Sequence, residues 1–355
     1  MAWNLLVKRR DDLPEMRWPL VILTMLAASF FGGSAVSFQE KAAILTVPFL
    51  VLAVVAYTLL ILLWRRLAAL AVTAGIGAVV LASGGGWFAA VGCAVSILAV
   101  SYVYAALFLG REPRFVRIAS TASAVGVCLL LTGVAWISWR FGTIGAAIEY
   151  ACDLYRDAVS TGFQTLYGIG GTGEDGVRYV LLPETVDAML YQAVAAVPAL
   201  TGMMCILFAG LCDGGIRFLF WLLDCGEYFS AEADQGITIP RSFGVLYGVL
   251  LFLVMSTSSP TAPYLYSILS NCHWIFALPC AWVGLSVGFR KLRESMAEAS
   301  FYGRPRSHSP VFPILITVCF FLFLGLSTAF TLSAVLGAVF IITRRREEEP
   351  QDDAS

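Results

Sequence analysis

The sequence predicts an all-α fold: a polytopic transmembrane helix bundle of about ten spans, with the N-terminus and C-terminus both cytoplasmic. Three observations carry that prediction. The first is composition. Apolar residues make up 59 % of the 355-residue chain and charged residues only 13 %, against roughly 25 % charged in an ordinary soluble domain. The mean hydropathy is +0.81. A soluble fold of this size would have too little charge to solvate what it could not bury. The second is the recurrence of apolar runs close to the ~20 residues that a helix needs to cross a bilayer. The third is the placing of the basic residues between those runs.

The first run is Trp18–Phe38. Lys8, Arg9 and Arg10 precede it, as they would a signal peptide, but the run is long and Ser34–Ser37 makes a poor cleavage site. It reads as an uncleaved helix. Further runs are Ala42–Trp64, Leu67–Ala82, Trp87–Leu109, Ile118–Trp139, Ala188–Leu211, Ser242–Ser259 and Tyr264–Phe289. Val311–Thr343 is too long for one upright helix at ~1.5 Å per residue. It is either a tight hairpin broken near Gly325–Thr328 or one long tilted helix.

The charges choose between these. With the N-terminus inside and sides alternating, the inner segments hold Lys8, Arg9, Arg10, Arg17, Arg65, Arg66, Arg111, Arg114, Arg117, Arg217 and Arg241. They also hold Arg290, Lys291, Arg293, Arg304, Arg306 and Arg344–Arg346. That is 19 of the 23 basic residues; Lys41, Arg140, Arg156 and Arg178 lie outside. Cytoplasmic loops carry the Lys/Arg excess, so Arg344–Arg346 must be inside, and the number of crossings is even. The hairpin gives ten. Trp18, Trp64, Trp87 and Trp139 stand at run ends, where interfacial anchors belong.

The expected organisation is one integral membrane domain over 1–346, with an extracytoplasmic segment at 140–187, a cytoplasmic loop at 212–241 and a disordered charged tail at 347–355. In the outer segment, Ile144–Leu166 reads as an amphipathic helix. Ile148, Ala151, Leu154, Tyr155, Ala158 and Val159 line one side. Glu149, Asp153 and Asp157 recur at i+4 on the other, which reads as a solvated face. In the inner loop, Ile216–Phe229 is aromatic enough to lie along the membrane surface. Asp213 and Arg217 are placed to pair at i,i+4, acid first.

Several function classes are disfavoured. A net charge of −1 with no basic stripe argues against nucleic acid. The nine cysteines show neither CxxC nor zinc-ligand spacing, so no metal and no cofactor is expected. None of the runs contains Asp, Glu, Lys or Arg, which argues against a proton pump with a buried carboxylate or a channel with charged rings. Gly171–Gly176 matches GxGxxG but follows no strand, so it reads as a loop. Gly284-Leu285-Ser286-Val287-Gly288 matches GxSxG inside an apolar helix, where no nucleophile elbow can form. The same residues give GxxxG, as do Gly244 and Gly248, and close helix packing is the better reading. No catalytic constellation is present, and the chain is not expected to be an enzyme.

One titratable group lies at depth. His273 is about nine residues into its run, near the midplane at ~1.5 Å per residue. Ser267, Ser270, Asn271 and Trp274 surround it in sequence. Two readings stand side by side: a polar patch for an uncharged solute, and a neutral histidine serving as helix–helix glue. Pro279 follows and can kink the helix.

The C-terminal half has a recognisable order: Leu181-Leu182-Pro183 before a span, Ile239-Pro240-Arg241 at the next entrance, then Asn271–Pro279 running into Gly284-Leu285-Ser286, and a closing apolar hairpin with a basic triplet. Over roughly 177–346 this resembles the YybS-like family of bacterial multi-pass membrane proteins. The resemblance implies a multi-pass fold in a bacterial plasma membrane and carries no activity. The expected function is binding or transport of a small, largely uncharged solute, with His273, Asn271, Trp274, Tyr266 and Gln192 as candidate lining residues. With no nucleotide site, energised transport would need a partner ATPase, docked at Arg111–Arg117 or Arg290–Arg306. The alternative is a non-catalytic scaffold that recruits envelope or signalling partners to the bilayer.

Overall fold

A computed structural model of the chain describes residues 26–27, 29–33, 43–63, 66–82, 86–167, 183–222, 239–257, 263–301 and 325–343. Every regular element among these residues is an α-helix. In chain order the long ones are α1 (Ala43–Leu63), α2 (Arg66–Ala82), α3 (Trp87–Leu109), α4 (Arg114–Phe141), α5 (Ile144–Tyr167), α6 (Pro183–Leu222), α7 (Arg241–Ser256), α8 (Pro263–Phe301) and α9 (Leu326–Thr343). The loop at 171–176, the tail at 347–355 and the first part of the expected C-terminal hairpin lie outside the described residues.

Each apolar run coincides with a helix where the chain is described, and α3 matches its run residue for residue. Residues 29–33 of the first run are helical. Among the described residues, four helical stretches are long and apolar enough to cross a membrane: Trp87–Leu109, Arg114–Phe141, Thr185–Phe220 and Pro263–Lys291. Val47–Leu62, Val72–Ala82, Arg241–Ser256 and Ser327–Thr343 are shorter apolar helices. The chain is therefore that of an all-α membrane protein. At the last run, Gly325 has φ +77°, a conformation that favours glycine, and α9 begins immediately after it.

The chain divides into two units. In the first, α3 packs against α1, α2 and α4. Its core joins Val55, Tyr57, Ile76, Val100 and Tyr104 to Cys212, Ile216 and Phe220 from the end of α6. Tyr57 of α1 hydrogen-bonds Thr73 of α2, and Ser101 of α3 donates to the Val54 carbonyl of α1 at 3.2 Å. These polar links between apolar helices satisfy hydroxyls that lipid would leave bare. Residues 29–33 fit tightly on α2: a Cβ on Gly33 would meet Val79 at 2.0 Å.

The second unit comprises Pro198–Met203 of α6 with Ile237–Ser355. Its core is the mutual packing of α7, α8 and α9 around Tyr247, Ala277, Cys280, Ala281, Ala334 and Ala338. Small residues let the backbones touch. A Cβ on Gly284 would lie 2.0 Å from the Ser333 carbonyl oxygen, and one on Gly337 would lie 1.8 Å from that of Cys280. The GxxxG reading holds for the first glycine of each motif only. Gly244 abuts Ala338 and Ile341, whereas Gly248 and Gly288 face open space.

One expectation is corrected. The segment from 212 opens as helix, because α6 continues to Leu222. Ile216 and Phe220 are buried in the first core rather than laid along a surface; the remainder of that aromatic stretch, from 223, lies outside the described residues. Just outside the charge-free runs, the helices that extend them do carry buried charge: Asp213 and Arg117 lie within α6 and α4 at 0 % and 1 % exposure. The physical reason for both is the same. Asp213 pairs with Arg217 one turn on, which favours continued helix. Further partners make its burial tolerable.

Candidate functional site

Two constellations gather the chemistry-bearing side chains, one in each unit.

The first is built at the turn between α3 and α4. α3 ends in a Schellman-type cap. The Glu112 N–H bonds the Leu107 carbonyl at 3.1 Å and the Arg111 N–H bonds that of Phe108 at 3.0 Å. Arg111 holds the left-handed position, φ 56°, where glycine is usual. This tight reversal places the first turn of α4 beside the last turns of α3. Tyr104 then donates to Asp213 Oδ1 at 2.7 Å. Arg114 Nε donates to Oδ2 at 2.8 Å, and Arg217 Nε to the same oxygen at 3.1 Å. Arg117 stands 3.7 Å from Oδ1 and donates to the Glu112 carbonyl at 2.8 Å. Its guanidinium also lies over the Phe108 ring, 5.8 Å from the centroid, with Phe220 packed on that ring at 5.6 Å.

One carboxylate thus ties three helices together. The desolvation cost of a buried ion is several kcal/mol, and it is offset only when the partners satisfy its lone pairs. Here both oxygens are engaged. The Arg114 and Arg217 side chains keep 25 % and 17 % exposure, so the cluster is sealed on the Asp213 side and open to its surroundings on the arginine side. Its chemistry is that of a clasp. It offers no nucleophile, and among the described residues no group of His, Cys, Asp and Glu could hold a metal ion. The sequence signalled one of its contacts, the i,i+4 pair. Tyr104, Arg114 and Arg117 gave no such signal, because they reach Asp213 from other helices.

The second constellation holds most of the candidate lining residues. α7 and α8 meet through two aromatic rungs. Phe243 stacks on Phe276 at 4.9 Å, and Tyr247 stacks on His273 at 5.3 Å. Trp274 meets His273 edge-on at 5.7 Å and stacks on Phe330 of α9 at 5.6 Å. His273 is buried between these rings. Two buried polar atoms here have no hydrogen-bond partner among the described residues: His273 Nδ1 and Tyr247 Oη. Such atoms are rare in folded proteins, and each asks for an explanation.

Asn271 is differently occupied. Its Oδ1 accepts the Ala199 N–H at 2.9 Å, and its Nδ2 donates to the Ser267 carbonyl at 2.8 Å. Ala199 directly follows Pro198, the proline inside α6, so Asn271 serves the backbone just where a proline disturbs the helical ladder. Ile275 fills the space above Gly202, 2.7 Å from a built Cβ. Tyr266 is half-buried on the same helix. Gln192 is exposed on the part of α6 that belongs to the first unit. The structure therefore brings His273 and Trp274 into one aromatic cluster and adds Tyr247, which sequence reading missed. A tyrosine seven residues into an apolar helix carries no signal of its own until the facing helix is known.

No family model, curated protein or solved structure matches this chain. Its class, an all-α membrane protein, rests on the fold and these two constellations.

Proposed function

We propose that this chain binds or transports a small, largely uncharged solute across a bacterial plasma membrane, without catalytic chemistry or an ATPase of its own. The observation that carries the reading is that two stacked rings, His273 and Tyr247, each hold a buried polar atom, Nδ1 and Oη, with no partner among the described residues. A phenol donates and accepts, and an imidazole nitrogen does either according to tautomer. Together they suit a neutral hydroxyl, amide or carbonyl group. A charged ligand would find no counter-charge on these two side chains. The ten-span threading with both ends inside, and the kinship with YybS-like proteins, belong to the same proposal. So does a partner ATPase. Because Arg114 and Arg117 are spent on Asp213, its docking falls to Arg290–Arg306.

The test is native mass spectrometry of the full chain, purified in detergent, beside His273→Phe. A co-purifying small molecule that the variant loses supports the reading. Identical ligand-free spectra for both, from cells and after exposure to a metabolite extract, overturn it.

A second reading, a membrane scaffold, draws on a separate observation. Asn271 has both ends committed to backbone, and His273 is wedged between rings. That is the behaviour of packing glue. Affinity purification that recovers envelope proteins and no small molecule favours it.

A further inference from the structure

We propose that α5 is an interfacial helix. It lies in the membrane–water boundary at the end of α4 remote from Arg114, its apolar arc set into lipid and its acidic row turned to water.

The arc follows from the sequence. At ~3.6 residues per turn, Ile144, Ile148, Ala151, Leu154, Tyr155 and Val159 fall within roughly half the circumference of the helix. Glu149, Asp153, Arg156 and Asp157 occupy the other half. Most of the arc is uncovered: Ile144, Ile148, Ala151 and Leu154 are exposed, while Tyr155 and Val159 are half-buried. Ile148 is 55 % exposed and Leu154 59 %, and small Ala147, within the arc, is buried. A 24-residue amphipathic helix that leaves Ile144, Ile148 and Leu154 bare needs an apolar occupant.

Position identifies the occupant as lipid. α4 is long and apolar enough to span, and Leu129, Leu130 and Leu131 along it are exposed, as lipid-facing side chains are. Trp136 and Trp139 are exposed near its end, where tryptophans mark the headgroup level. The chain then turns at Gly142, φ +75°. Thr143 caps the new helix by accepting the Ala146 N–H at 3.2 Å. Phe141 packs on Tyr150 at 5.3 Å, which holds the first turns of α5 beside that belt. α5 thus starts at headgroup depth. It cannot cross the bilayer without carrying four charges into hydrocarbon, and standing free in water would leave the arc wet. Lying in the interface satisfies both faces. Arg156 reinforces the posture by bonding Asp153 at 3.1 Å and Asp187 of α6 at 3.0 Å, so the polar side is tied to the start of the next helix.

The test is photo-crosslinking of the full chain in phosphatidylcholine proteoliposomes, with benzoylphenylalanine introduced at Ile148, Leu154, Asp153 or Asp157 in turn. The expected result is a phospholipid adduct at 148 and 154 and its loss at 153 and 157. Adducts from 148 and 154 to another part of the chain, to a second copy or to neither overturn the proposal. Where a variant does not fold, a nitroxide at the same position gives an independent reading. Broadening by oxygen should dominate on the apolar arc and broadening by a water-soluble nickel chelate on the acidic row; the same ratio at all four positions overturns it.

Discussion

Tyr104 donates its hydroxyl to Asp213 at 2.7 Å, across 109 residues of chain, and the carboxylate that receives it is closed off by three arginines. Removing that charge leaves the buried Arg117 and the partly exposed Arg114 and Arg217 without their shared counter-charge. Asp213→Asn should therefore cost about 3–5 kcal/mol, as breaking one side of a buried ion cluster does. Tyr104→Phe removes one hydrogen bond to a charged group and should cost about 1.5–3 kcal/mol. Thermal unfolding of the full chain in detergent measures both. A neutral Asp213→Asn would show that the clasp does not hold the helices.

Much of the helical plan was legible, because lipid demands long apolar runs and water demands charges between them. The run Trp87–Leu109 became α3 unchanged, and α9 begins just after Gly325. Legibility ended where a residue's environment is set by another helix. Asp213 and Arg217 declared their pairing because one helical turn separates them. Arg114, 99 residues away on the same carboxylate, could not. The same limit hid Tyr247, and for the same reason the spacing GxxxG identified packing helices without saying which glycine is pressed.

Asn271 bridges two helices through backbone. Asn271→Leu should cost about 1 kcal/mol, the usual worth of one interhelical hydrogen bond in a membrane protein, by leaving the Ala199 N–H without its side-chain acceptor. Ser267→Ala should cost less, since Ser267 contributes its main-chain carbonyl to Asn271 and the substitution keeps it. Unfolding midpoints of the two variants, measured side by side, check the order. Equal losses would place the stabilisation in the Ser267 side chain instead.

His273 separates packing from polarity. His273→Phe keeps a ring against Tyr247 and removes a buried nitrogen that has no partner among the described residues. The ligand-free protein should be as stable as before or more so, because deleting an unsatisfied polar atom forfeits no bond. His273→Ala empties the slot beside two aromatic side chains, Tyr247 and Trp274, and should cost about 3 kcal/mol through the cavity it leaves. Both values come from unfolding in detergent after exhaustive washing. A large loss in His273→Phe would mean that the imidazole nitrogen makes a bond essential to the fold.

The glycines of the second unit give the sharpest contrast. Gly284 and Gly337 face each other's helices so closely that a methyl group would fall 2.0 Å and 1.8 Å from carbonyl oxygens of Ser333 and Cys280. Those oxygens belong to backbone and cannot rotate aside, so α8 and α9 would have to separate. Separation would loosen Ala277, Cys280, Ala281, Ala334 and Ala338, which make up most of the buried core between them. Gly284→Ala and Gly337→Ala should each cost at least about 1–3 kcal/mol, the range for overpacking. Gly248 and Gly288 meet nothing within 4 Å, and both lie inside helices. Replacing either by alanine removes glycine's helix penalty of about 1 kcal/mol with no clash. Those two variants should match the parent or exceed it in unfolding temperature. If all four behave alike, the close approach of α8 and α9 is not what holds this unit together.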